Sequence, residues 1–149
     1  MSEGSKLLAE VQGHIAEAAR AAGRNPADVT LIAVSKTHGA DRIREVLEAG
    51  HRVFGENRVQ EAQEKFPALK SAYPDLELHL IGPLQSNKAK LIPGRFHLFH
   101  ALDSLSLAAK LNKAAESKGL IQNCLLEVNI DAESSKAGFT TKDLEKILE

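Results

Sequence analysis

One lysine is placed where only chemistry or a surface partner would justify it. In "VTLIAVSKTHGA", Val29 to Ala40, the apolar run Leu31-Ile32-Ala33-Val34 passes straight into Ser35, Lys36 and Thr37. Taking an ammonium out of water costs free energy, so Lys36 either snorkels to a surface partner or serves a purpose at the strand end. A partly apolar site favours the neutral amine, and a neutral amine attacks an aldehyde to give a Schiff base. A serine–lysine hydrolase pair fails on geometry while the chain stays extended. Ser35 and Lys36 would then point to opposite faces.

Three further stretches carry polar groups in defined places. "FGENRVQE", Phe54 to Glu61, reads as a strand, a glycine-permitted turn and a helix start. There Asn57 either caps the helix or presents its amide to a ring oxygen. Glu56 and Glu61 read as helix-start and surface charges. "LHLIGPLQSNK", Leu78 to Lys88, sets His79 inside a strand, where a satisfied core histidine is expected, and Gly82-Pro83 at its exit. Ser86 or Asn87 suits an N-cap, but a phosphate site there lacks a glycine-rich loop. "VNIDAESSKAGF", Val128 to Phe139, ends a strand with Asn129 able to hydrogen-bond at the rim. Glu133 and Lys136 pair on the surface in this reading, and Gly138 permits a turn.

The 6 histidines suggest no metal site. His97 and His100 are three apart in an expected strand and so face opposite sides, and neither an HExxH motif nor a cysteine partner is present.

The whole chain bounds these readings. Its 149 residues, 43% hydrophobic, suit one core and one domain. With 19 basic and 20 acidic residues the net charge is −1, which gives no electrostatic case for nucleic acid or an anionic membrane. Lys88, Lys90 and Arg95 read as a solvated face. Cys124 is the sole cysteine, so no intrachain disulfide forms; within "CLLEV" it reads as a small buried hydrophobe. "MSEGSKLLAE" lacks the apolar core of a signal peptide, and no apolar run reaches ~18 residues, so a cytoplasmic protein is expected.

The elements that must position the polar groups alternate between helix and strand. Leu7, Leu8, Val11, Ile15, Ala18 and Ala22 recur at helical spacing before Gly23. Val29 to Val34 reads as a wholly buried strand, and Ile43, Val46 and Leu47 mark a helix closed by Gly50. Residues 51–54 form a short strand, followed by a helix from Arg58 to Ala72. Strand 76–81, a short helix at 87–92 and strand 97–102 come next. Asp103 or Ser104 caps a helix that Gly119 ends. Residues 124–130 form a fifth strand, and Asp143 to Glu149 begins another helix. Such alternation predicts right-handed βαβ units and a parallel sheet. It leaves two architectures: a doubly wound open sheet, or a little over half of a (β/α)₈ barrel, which needs ~250 residues. Both place functional groups at the C-terminal ends of the strands.

Taken in order, "AVSKT", "FGENRVQE", "HLIGPLQSNK", "HALDS" and "VNIDAESSKAG" closely resemble the YggS/PROSC family of pyridoxal-phosphate homeostasis proteins. The resemblance runs from about Leu7 to the end of the chain. It implies a single-domain α/β barrel of the alanine racemase N-terminal kind that binds pyridoxal 5′-phosphate (PLP). By this resemblance Lys36 matches the Schiff-base lysine, Asn57 a pocket asparagine, and His79 and Asn129 positions near the cofactor. No catalytic residue is implied. Leu78 stands where many members have tryptophan and Leu80 where phenylalanine is common, both changes that keep apolar character.

The family's later region, a serine-bearing loop and a glycine-threonine segment that hold the phosphate, does not occur in this chain. About five βα units are expected, with residues 1–149 as one domain that stops short of those strands. The resemblance implies a carrier that holds PLP as an aldimine and delivers it to apo-enzymes, the full-length protein being monomeric. The enzyme alternative, an amino-acid racemase, needs a second proton-transfer group on the opposite face of the cofactor. Tyr73 is the only tyrosine and falls at the end of an expected helix. An open-sheet small-molecule module is a third reading, but its glycine fingerprint is missing.

Overall fold

Apolar spacing punctuated by glycines and polar caps produces the elements in turn. In the computed structural model, which describes residues 1–149, α1 spans Glu3–Ala21. The Ser2 hydroxyl caps it, accepting the Ser5 amide at 3.2 Å. After a 3₁₀ turn at Pro26–Asp28 come β1 (Ala33–Val34), α2 (Ala40–Glu48), β2 (Val53–Glu56), α3 (Val59–Ala72) and β3 (Glu77–Leu80). A 3₁₀ segment, Ser86–Leu91, leads to β4 (Leu98–Leu102), α4 (Leu105–Ser117) and β5 (Cys124–Leu126). Ser104, not Asp103, caps α4 by accepting the Leu107 amide at 3.2 Å. Then follow β6 (Val128–Asn129), β7 (Phe139–Thr140) and α5 (Thr141–Ile147). No helix is long and apolar enough to cross a membrane.

β1 to β5 form one parallel sheet in the order β1-β2-β3-β4-β5, and β6 pairs with β7 separately. A doubly wound sheet reverses its strand order at a switch point. This sheet never does, so the doubly wound alternative is set aside. Successive right-handed crossovers without reversal leave every helix on one face. The core follows that rule. Phe54, Leu80 and Phe99 from the strands meet Leu47 of α2, Phe66 of α3 and Leu111 of α4 in a single cluster. Leu80 and Phe99 are wholly buried, and each side chain of that size contributes ~1.5–3 kcal/mol.

The opposite face of the sheet is open. Val34 is 46% and Leu125 48% exposed, which corrects the expectation of a wholly buried first strand. The strand is also shorter than Val29 to Val34. β1 lies at the sheet edge with β2 on one side only, and its ladder covers just Ala33 and Val34, opposite Phe54 and Gly55. The fifth strand divides as well. The Glu127 amide donates to Leu102 of the main sheet, while its carbonyl accepts the Phe139 amide of the small sheet. Residue 127 therefore hydrogen-bonds to both sheets and divides the expected fifth strand.

Candidate functional site

β1 carries Ser35 and Lys36 to the C-terminal end of the sheet. The Ser35 amide extends the ladder by donating to the Gly55 carbonyl at 3.0 Å, and the chain then turns, with Thr37 at φ 65°. A β-branched residue resists that left-handed conformation, so the turn must be held from outside. Two carboxylates and one ammonium hold it. Glu61 Oε2 accepts the Thr37 amide at 3.2 Å. The Ser35 hydroxyl, almost fully buried, donates to Glu56 Oε1 at 2.9 Å. Lys65 Nζ donates to that same Glu56 oxygen at 2.9 Å, to the Ser35 carbonyl at 3.0 Å and to Glu61 Oε2 at 3.4 Å.

The residues on either side of Lys36 are thus locked from beneath, while Lys36 itself is exposed. The apolar shelter expected around its amine is not built by this stretch of chain. Glu56 is 0% exposed, not the surface charge the sequence suggested. Its Oε2 meets no hydrogen-bond donor. A carboxylate taken wholly out of water needs a counter-charge, and Lys65 supplies it. The bond from the Thr37 amide, helped by Lys65, holds the Glu61 carboxyl below the ordinary carboxylate range. Period-two alternation was the available signal, since Glu56 shares a face with buried Phe54.

Asn57 stands next to this turn. Extending the β1–β2 register by two residues sets Lys36 opposite it. α3 begins behind Arg58 without a side-chain cap, so the capping role weighed for Asn57 is not taken up. Asn57 lines a cleft of about 570 Å³ together with Arg58, Gln60, Gln85 and Lys88. The expected N-cap at Ser86 or Asn87 is also absent; Gln85 occupies that position without a side-chain bond. The next loop is pressed against Asn57. A Cβ on Gly82 would lie 2.3 Å from the Asn57 carbonyl oxygen, so only glycine fits.

His79 lies one layer deeper, in register with Gly55, and is 5% exposed. Burial holds its pKa below the ordinary value, with nearby His100 and His97 adding to the effect and Glu77 opposing it. Its Nδ1 lies 2.9 Å from His100 Nε2, and burial lowers His100 too. His97 and His100 do not face apart as expected. His97 precedes β4 instead of lying in it, and both rings flank His79, at 5.4 and 5.2 Å between centroids.

Asn129 is held by its own loop. On β6, its amide nitrogen donates to the Glu133 carbonyl at 2.7 Å and its oxygen accepts the Glu133 amide at 3.2 Å. That amide folds its own loop. Lys36 and Asn57 are therefore together at the rim, His79 is below them, and the Asn129 amide is engaged within its own loop. Tyr73 caps the C-terminus of α3 with the Arg52 guanidinium 5.0 Å from its ring centroid. It lies at the end of the sheet where strands begin, away from Lys36. Burial pushes the Cys124 thiol up, as suits an inert packing residue.

The chain is similar to several known proteins. The pyridoxal phosphate homeostasis protein of Escherichia coli strain K12 is 40% identical over 148 residues, which cover 99% of this chain and 63% of the relative. That of Pseudomonas aeruginosa is 42% identical over 149 residues, covering 100% of this chain and 64% of the relative. PipY of Synechococcus elongatus, solved with PLP bound, superposes with a TM-score of 0.73 at 43% identity, covering 90% of this chain and 62% of PipY. A crystal structure of an unknown protein from Bifidobacterium adolescentis matches with a TM-score of 0.88 at 32% identity, covering 97% of this chain and 62% of its own. The chain thus spans somewhat less than two thirds of the length of these relatives. The family model for the alanine racemase N-terminal domain matches residues 8–149, and the chain belongs to that family.

Proposed function

We propose that this chain carries the coenzyme-attaching part of a PLP homeostasis protein that acts in the cytoplasm, holding PLP at Lys36 and yielding it to apo-enzymes. The observation that carries the reading is the clamped turn. An exposed primary amine projects from a backbone held on both sides by Glu56, Lys65 and Glu61, beside an asparagine amide that caps nothing. PLP brings an aldehyde that condenses reversibly with a primary amine. Lys36 offers that amine, Asn57 a donor and acceptor for a ring substituent, and the buried Glu56 network keeps the turn from relaxing. His79 supports the layer beneath. The relatives are named for PLP homeostasis, and PipY was solved with PLP bound, which favours the same ligand here.

In this reading residues 1–149 form one domain, and the singly wound order of the sheet is that of a (β/α)₈ barrel that further strands would close. Asn129 would reach the coenzyme only after its loop releases the amide. A racemase would need a second proton-transfer group facing Lys36, and Tyr73, at the far end of the strands, does not supply one. The chain is thus read as a carrier without turnover.

The test is to incubate the protein with PLP, reduce with borohydride and map the modified peptide. A single adduct on the peptide carrying Lys36, lost in Lys36→Ala, is expected. Adducts scattered over several surface lysines would overturn the assignment. Exchange of the α-proton of alanine in deuterated water would replace the carrier with an enzyme.

A further inference from the structure

The open face of the sheet holds a second polar cluster, toward the end where the strands begin and away from Lys36. Glu77 is the first residue of β3, His97 stands immediately before β4, and His79 lies between them. One carboxylate oxygen, Glu77 Oε2, is 3.7 Å from His79 Nε2 and 3.8 Å from His97 Nε2. All three ligand atoms fall within 4.8 Å of one another. These separations are too long for hydrogen bonds. His79 Nε2 is buried and has no partner at all.

The other nitrogen of the same ring explains why that matters. His79 Nδ1 lies 2.9 Å from His100 Nε2, and a neutral pair shares one proton between them. With that proton on His79, Nδ1–H donates to His100 and Nε2 is left as a bare lone pair beside a carboxylate. Two acceptors then face each other across a gap that a cation would bridge. Histidines that bind metals are held in this way, with the second ring N–H given to an outer acceptor that sets the tautomer.

We propose that Glu77, His79 and His97 form a binding site for a divalent transition metal of the zinc type, with His100 as the outer group that orients His79. Two imidazoles and a carboxylate are a nitrogen–oxygen set suited to Zn²⁺, and three protein ligands leave one position for water or an anion. Zinc bonds of ~2.0–2.1 Å place neighbouring ligand atoms about 3.3 Å apart. The present gaps therefore close by small side-chain rotations. Glu77 and His97, with side chains 44% and 54% exposed, are free to make them, whereas His79 is fixed. The cluster spans two strands, which is why spacing along one strand does not reveal it. It uses neither Lys36 nor PLP and shares only His79 with the proposed function.

The experiment is a Zn²⁺ titration of coenzyme-free protein against a chromophoric chelator, paired with Co²⁺ absorption. One equivalent of Zn²⁺ per chain is expected, and Co²⁺ gives the visible bands of a low-coordinate nitrogen–oxygen site. His97→Ala and Glu77→Gln, both at partly exposed positions that leave the core intact, each weaken Zn²⁺ binding about tenfold or more. His14→Ala, at an exposed position on α1, leaves it unchanged. Absence of stoichiometric binding, or affinity that survives both His97→Ala and Glu77→Gln, would overturn the site and leave a hydrogen-bonded histidine cluster.

Discussion

The clamped turn has a pH dependence because one of its parts titrates. Glu61 is held below its ordinary value of 4.5, chiefly by the Thr37 amide. A carboxyl whose pKa is lowered on folding contributes stability above its unfolded value and loses it as pH falls through the folded one. The hold on Thr37 is therefore complete above pH 4.5 and fades below it. The Thr37 amide resonance is expected to titrate with a midpoint under that value, and Glu61→Gln is expected to abolish the transition. A midpoint at or above the ordinary value would show that the bond does not favour the carboxylate. Glu56, by contrast with the partly exposed Glu61, is wholly buried. Its charge is matched inside the fold by Lys65, so the turn does not depend on solvent ions.

At the scale of elements, the loops after β2 and β3 are locked by close backbone approach. Gly82 packs on Asn57 so tightly that a methyl group would sit 2.9 Å from its Cα and 2.3 Å from its carbonyl oxygen. Backbone cannot rotate aside as a side chain does. Gly82→Ala is therefore expected to cost about 2–3 kcal/mol of stability, read from the denaturant midpoint. It is also expected to displace Asn57 and slow PLP attachment. Gly13, where an added Cβ meets nothing within 4 Å, is the control, and Gly13→Ala leaves both measurements unchanged or slightly improved. A neutral Gly82→Ala would mean that the two loops are free to separate.

At the scale of the molecule, the sheet has two unpaired edges, β1 and β5, and one uncovered face. Val34, Leu125 and Ile130 are exposed at 46, 48 and 78%, next to backbone able to accept a further strand. The 149-residue chain expressed alone is expected to self-associate. Sedimentation velocity reads this directly, and a monodisperse, cooperatively melting monomer would refute it. Oligomers that dissolve when charged residues replace Val34 and Leu125 would place the contact on the open face and its edges.

Local chemistry made much of this legible from the chain alone. Apolar periodicity with Gly23, Gly50 and Gly119 located three helices, because a residue in left-handed backbone just past a helix end is a local demand. The position of Lys36 at a strand end and the core side of α2 followed from the same short-range rules, whereas the stripe read for α1 did not become core: Leu7 and Val11 are exposed and only Ala19 of that helix is buried. Strand limits did not, since a strand ends where its neighbour ends: β1 shrank to two residues and 124–130 split at Glu127. Nor could local reading find what distant residues do together. Alternation with Phe54 could have told that Glu56 is buried, but not that Lys65, nine residues on, and Ser35, twenty-one back, are its partners. Asn129 looked free until its loop closed on it, and His97 was assigned a face before its strand was known to begin one residue later. Local pattern determined which elements form, because it acts within a few bonds. Partnership across strands decided which polar groups are buried, paired or left open, because only the folded sheet sets those distances.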